Sequence, residues 1–306
     1  MMQNKKAFTL IELIIVIVIS SVLSIGTFKA FKALYIRSAK AKTITELSMQ
    51  SQIVLNQVSK LLYNRIPNST IGYDGQNQDS CNPIEDIMSN DNSTVLEWLY
   101  LDEEQLLSKK YASFIDMNAS SKPNLKTLGV TDELNITNRG LIFAGSFDAG
   151  NEDKSTCNGA YGWHGNDSNL THTIKSSATD NIKLDDSVDD YPPEYIYEKY
   201  YLTNGAYAIA RGVDIDSDAD CITNLGQNVD DDTLLLFYDF YPYINKGDTY
   251  CADKNGTKTG KVSILSYNVS AFGAVYENDI IRLSIDMKKT IRGSTEVHMS
   301  KQKAVF

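Results

Sequence analysis

Two hydrophobic patterns divide the chain. From Phe8 to Phe28 the run FTLIELIIVIVISSVLSIGTF is apolar with one charge, Glu12. At about 1.5 Å of rise per residue, its roughly 21 residues make about 31 Å of helix, which matches a bilayer hydrocarbon core of about 30 Å. A secretory signal would have a shorter apolar stretch and a small-residue cleavage site after it, and neither is found here. After Phe28 the polarity rises while the helical period persists. Ile44, Leu47, Val54, Val58 and Leu61 recur at spacings near 3.5 residues, and Ser51 fills the remaining stripe position. Ile66-Pro67 should stop this helix, because the residue before a proline avoids the α region. The pattern predicts one helix from Phe8 to Arg65, with Gly26 and the serines Ser20, Ser21 and Ser24 marking where it would bend or pack closely.

Beyond Pro67 the period falls to two. Ile281, Leu283, Ile285 and Met287 alternate with Arg282, Ser284 and Asp286, the signature of an antiparallel strand with one face buried. Similar runs occur at Gly140–Phe147, Tyr195–Ala210, Thr233–Tyr241 and Val262–Val275. Thr94–Lys110, with Leu96, Leu99, Leu106 and Leu107 and two terminal lysines, predicts a helix. The stretch from Gly150 to Pro193 is rich in Asn, Asp, Ser and Gly and predicts a long surface insertion, about 150–193. The expected fold class is α+β. A long N-terminal helix, with a transmembrane half at 8–28 and an amphipathic half at 29–66, packs on an antiparallel β-rich head over 67–306. No internal repeat is present.

Composition narrows the function. The chain has 306 residues, 42% of them hydrophobic, and a net charge of −10. It is long and apolar enough to fold, and too acidic for nucleic acid to be its main partner, since phosphate-backbone affinity comes from clustered Lys and Arg. Cys81, Cys157, Cys221 and Cys251 all follow the apolar segment. If that segment exports the rest, they meet an oxidising compartment and can form two disulfides in three connectivities, of which Cys221–Cys251 with Cys81–Cys157 is the simplest. No CxxC pair points to zinc or redox chemistry.

Other candidate chemistry is sparse. Asp214, Asp216, Asp218 and Asp220 stand at every second position, the way oxygen-rich calcium loops begin, and Asp230, Asp231 and Asp232 could add ligands. Ala219 and Leu225 occupy the positions where an EF-hand needs Gly and Glu, so calcium here competes with a solvated acidic loop. His164, His172 and His298 are the only histidines. His164 and His172 read as exposed loop residues rather than a metal pair, and no hydrolase, zinc-protease or phosphate-loop motif occurs. Asn118, Asn135, Asn169 and Asn255 each begin an Asn-x-Ser/Thr triplet with an acidic residue two positions before, a pattern that resembles the acceptor of bacterial N-glycosylation systems.

Glu12 is the residue that needs a reason, because a carboxylate in a spanning helix costs a few kcal/mol and is kept where it has a partner. Lys5-Lys6-Ala7 followed by Phe8-Thr9-Leu10-Ile11-Glu12 resembles the leader and cleavage motif of the type IV prepilin family. The family usually has Gly where this chain has Ala7. The resemblance implies cleavage between Ala7 and Phe8 by a prepilin peptidase, methylation of the new amine on Phe8, and a filament-building role without catalysis. It also implies, as partners, other pilins or pseudopilins through the N-terminal helix and an inner-membrane assembly platform. Within the family, the large head and the segment Leu61-Leu62-Tyr63-Asn64-Arg65 look like the J-type minor pseudopilins of type II secretion, or the large minor pilins of surface pili. A buried positive amine on Phe8 would need a counter-charge, and Glu12 of its own chain or a neighbour can supply it. The expected orientation puts Lys5 and Lys6 in the cytoplasm and the head in the periplasm, although Lys29, Lys32, Arg37, Lys40 and Lys42 beyond the span run against the positive-inside bias. The rival from another class is a membrane-anchored exported enzyme or binding protein.

Overall fold

The computed structural model describes residues 9–75, 77–84, 93–145, 161–165, 170–185, 196–216, 219–244, 250, 260–278, 280–291 and 295–306. The chain divides into two compact units, Met1–Met49 with Lys288–Met299, and Gln50–Met287 with Ser300–Phe306.

Helix α1 runs unbroken from Leu10 to Tyr63, through Gly26. The hydroxyls of Ser21, Ser24 and Thr27 donate back to the carbonyls of Ile17, Ser20 and Leu23, which satisfies them inside an apolar segment. In the first unit the helix is exposed down to Tyr35, while Thr43 and Leu47 are buried and Lys289 Nζ donates to Glu46 Oε1 at 2.8 Å. In the second unit its buried stripe is Ser51, Val54, Leu55, Val58, Ser59 and Leu62. Two predicted stripe positions are therefore displaced: Ile44 is exposed, and Leu62 rather than Leu61 is fully buried. The helical period is 3.6, so a count at 3.5 drifts by about 20° every two turns, and the outermost positions of the stripe shift to a neighbouring residue.

The second unit is built on an antiparallel sheet. Its strands are β1 (Ile71–Asp74), β2 (Asn77–Pro83), β3 (Val95–Leu101), β4 (Asn124–Lys126), β5 (Gly140–Phe143), β6 (His172–Ala178), β7 (Asn181–Leu184), β8 (Tyr200–Arg211), β9 (Leu234–Phe240) and β10 (Lys261–Ser266). The order is β2-β1-β3-β8-β5-β6-β7-β4, with β9 also on β8 and β10 on β9. Strand β8 lies against β3 on one edge. On the other edge it pairs first with β5, through Tyr200–Thr203, and then with β9, through Ala206–Arg211. Gly205 sits between those two partners at φ +130, and its missing side chain leaves room for the Tyr100 hydroxyl and the Phe240 carbonyl. A β-carbon there would adopt a backbone region that L-residues avoid.

Three strand expectations change. The predicted helix at Thr94–Lys110 is strand β3 followed by the short helix α2 (Glu103–Leu107). A central strand covered on both faces reads as a continuous apolar run, and Val95, Leu96, Trp98 and Leu99 are all buried, so its sequence carries no period of two. The Val262–Val275 run is two strands in different sheets, β10 and β11 (Val269–Glu277), divided at Asn268 with φ 63. Strands β6 and β7 lie within the polar 150–193 stretch, where Ile174, Ile182 and Leu184 join a core with Leu141, Phe143 and Leu202.

Strands β11, β12 (Ile280–Ile291) and β13 (Thr295–Val305) make a separate sheet in that order. Ile281, Leu283, Ile285 and Met287 are fully buried, and Arg282, Ser284 and Asp286 face outward, as the alternation predicted. A second core, with Tyr73, Trp163, Phe237, Phe240 and Tyr250, lies on the main sheet. The described architecture is a long helix with antiparallel β-structure, the α+β class.

Candidate functional site

The functional candidate begins at the start of α1. Thr9 caps the helix: its backbone N–H and its hydroxyl both donate to Glu12 Oε2 at 2.9 Å, and the Glu12 N–H donates to Thr9 Oγ1 at 3.3 Å. This is a reciprocal capping box of the Thr-x-x-Glu type, in which each side chain satisfies an orphan donor of the first turn. The spacing is visible in the sequence, and reading Glu12 as an isolated charge missed it. Lys5, Lys6, Ala7 and Phe8 lie outside the described residues.

From Leu10 to Tyr35, every large apolar side chain is at least 51% exposed within the chain. The helix is long and apolar enough to cross a membrane. A contiguous exposed apolar surface of this size marks a site for lipid or for another protein.

The other predicted sites separate. Asp214 is buried in a 3-10 turn, 3.9 Å from the Arg211 guanidinium, and burial pushes its carboxyl above the usual range despite Thr94 and Arg211. Asp216 is exposed, Asp220 opens the short helix α3 (Asp220–Thr223), and Asp218 lies outside the described residues. Asp230 Oδ1 accepts from the Thr233 hydroxyl at 2.6 Å. Among the described residues, no three His, Cys, Asp or Glu side chains are grouped to hold a metal ion.

The two loop histidines are not exposed. His164 Nε2 lies 3.2 Å from Glu97 Oε1, which also accepts from the Tyr73 hydroxyl at 2.7 Å, and Glu97 is 1% exposed. His172 opens strand β6 and packs on Phe143; burial, helped by Lys122, lowers its pKa to about 4, so it is neutral. Their burial comes from residues distant in sequence, Glu97 and Tyr73 for His164 and Phe143 for His172, which no local pattern shows. His298 is exposed beside Glu296.

Cys81 and Cys221 are buried and disulfide-bonded, while Cys157 and Cys251 lie outside the described residues. Asn118 and Asn135 are exposed on turns, and Asn169 and Asn255 lie outside the described residues.

No local sequence pattern marks the polar cluster around Asp102. Asp102 Oδ2 accepts from Arg139 Nε at 2.8 Å and from Gln105 Nε2 at 2.6 Å, with the carboxylate 2% exposed. It stands at the N-cap of α2 and ties that helix to the strand that Arg139 leads into.

Residues 2–28 match the family model of the prokaryotic N-terminal methylation motif. No curated protein and no solved structure matches the chain. The matched segment holds the basic leader residues, Ala7, Phe8, Glu12 and the apolar half of α1. It supports the type IV pilin and pseudopilin family, whose members are typically structural.

Proposed function

We propose that this chain, which carries the prepilin-type N-terminus, is a low-copy structural subunit of a type IV pilus-like filament, a minor pseudopilin of a type II secretion machine. The observation that carries the reading is the combination of that N-terminus with an apolar helix surface left unburied from Leu10 to Tyr35. Such a helix has two compatible environments, a bilayer and a bundle of similar helices, and a filament subunit passes from one to the other.

In this reading the peptidase cuts between Ala7 and Phe8 and the new Phe8 amine is methylated. The chain waits as a single-pass inner-membrane protein with its head in the periplasm. On assembly, the Phe8 amine of one subunit meets Glu12 of another, which sets the axial stagger, since an unpaired charge among packed helices is costly. The low copy number follows from size. Helices pack roughly 8–10 Å apart, whereas a head of about 240 residues has a radius of gyration near 18 Å by chain-length scaling, so heads would crowd on adjacent stems. Cys221–Cys251 and Cys81–Cys157 are the proposed disulfides.

Intact-mass and N-terminal peptide analysis of membrane-extracted protein, with quantitative mass spectrometry of sheared filaments, tests the proposal. The expected result is a methylated Phe8 start and an abundance far below that of the main subunit. An unprocessed Met start would sink the family role, and stoichiometric abundance along the fibre would sink the low-copy role.

A further inference from the structure

A cavity of about 360 Å³ opens where the last turn of α1 meets the β3–α2 junction and β8. One wall is aromatic: the rings of Tyr100 and Tyr207 lie 4.4 Å apart at 31°. The Tyr100 hydroxyl donates to the Asn204 carbonyl at 2.6 Å, which fixes that ring. Burial, and after it Asp239, raises the Tyr207 phenol above its ordinary range. Glu103 and Glu104 line the same cavity. Asn64 Nδ2 donates to Glu103 Oε2, which aims that carboxylate, and Glu104 is exposed. Asp102 also lines the cavity but is committed to Arg139 and Gln105, and Lys60 is the one cation among the lining residues.

These features select one ligand chemistry. Aromatic faces attract cations, and they attract planar guanidinium more often than ammonium. A carboxylate oriented by a neighbouring amide can take a guanidinium through two parallel hydrogen bonds. The final turn of α1 also lines the cavity, and helix C-termini carry partial negative charge. An anion would meet two carboxylates. The volume is at the small end of ligand cavities, suited to one extended side chain rather than a large cofactor.

We propose that this cavity is a docking site for an arginine side chain presented by a partner protein, with the guanidinium packed against the Tyr100–Tyr207 wall and paired with Glu103 and Glu104. The site is independent of the filament role, and it gives an acidic chain a specific hold on a basic partner segment. Lys60, the one cation among the lining residues, opposes the incoming guanidinium.

Isothermal titration of the full chain in detergent micelles with the peptide acetyl-Gly-Arg-Gly-amide tests the proposal. The same peptide carrying citrulline is a neutral isostere, and the one carrying lysine keeps the charge without the plane. Saturable binding of the arginine peptide, loss with citrulline and weaker binding with lysine are expected. Glu103→Gln combined with Glu104→Gln should weaken binding at least tenfold. Lys60→Gln, a change at an exposed position, should strengthen it severalfold. No saturable binding of the arginine peptide, equal binding of arginine and citrulline peptides, or a Lys60→Gln variant that binds more weakly would overturn the assignment. The peptide comparison leaves the protein unaltered, so a folding defect in one variant does not decide the outcome.

Discussion

Replacing Asp102 with alanine should be among the most damaging single changes to the second unit. Its carboxylate is 2% exposed and holds Arg139 Nε at 2.8 Å, Gln105 Nε2 at 2.6 Å and the Gln105 backbone N–H at 3.4 Å. Truncation leaves the Arg139 guanidinium, whose side chain is 11% exposed, without its counter-charge. Breaking a buried pair from one side costs about 3–5 kcal/mol, and the lost cap on α2, worth about 1 kcal/mol alone, belongs to the same carboxylate and does not add in full. At roughly 2–4 °C per kcal/mol for a domain of this size, the melting temperature should fall by about 6–20 °C. Near-UV circular dichroism of the full chain in detergent follows the head, which holds both tryptophans, without the backbone signal of α1. Asp102→Ala combined with Arg139→Met removes the orphaned charge as well and should recover at least ~1 kcal/mol relative to Asp102→Ala. A drop under about 2 °C, or a double variant whose cost equals the sum of the singles, would refute the reasoning.

Three further changes probe other parts of the chain. His172→Phe should flatten the pH dependence of stability between about 4 and 6.5: the neutral imidazole is favoured in the fold, so its contribution is complete above the unfolded value and is lost as pH falls toward about 4, an effect of ~3 kcal/mol readable by denaturant titration at several pH values. Leu62→Ala should cost about 2–5 kcal/mol while Ile44→Ala costs under about 1, because Leu62 is fully buried and Ile44 is 37% exposed; equal costs in denaturant melts would contradict the stripe described above. Glu12→Leu should leave a chain that is still cut after Ala7 and still held in the membrane but joins filaments poorly, as counted by immunoblot of sheared material; normal incorporation would end the pairing account.

How much of this was legible depended on whether a residue's neighbours in space resemble its neighbours in sequence. Helix α1 and strand β12 were readable because each has one buried face, so burial leaves a period. Strand β3 has two buried faces, and its Leu96 and Leu99 imitate a helical pair. Strands β6 and β7 lie in a stretch dominated by polar residues, where a few buried positions, Ile174, Ile182 and Leu184, are diluted by Asn, Ser and Asp. The Asp102–Arg139 and Glu97–His164 pairs join residues far apart in sequence, and no local pattern announces such a pair. The Thr9–Glu12 cap was different: its Thr-x-x-Glu spacing is in plain view, next to the Phe8 amine with which the sequence pairs Glu12.

That cap gives a solitary chain a resting arrangement. With Thr9 donating twice to Glu12 Oε2, the carboxylate of a solitary chain already has local partners for one of its oxygens. Recruitment in the proposed filament is then a handover, in which the carboxylate releases two donors of its own chain and takes the amine of another. In both arrangements the acceptor is an ionised carboxylate, so the handover would keep Glu12 partnered on each side of the exchange.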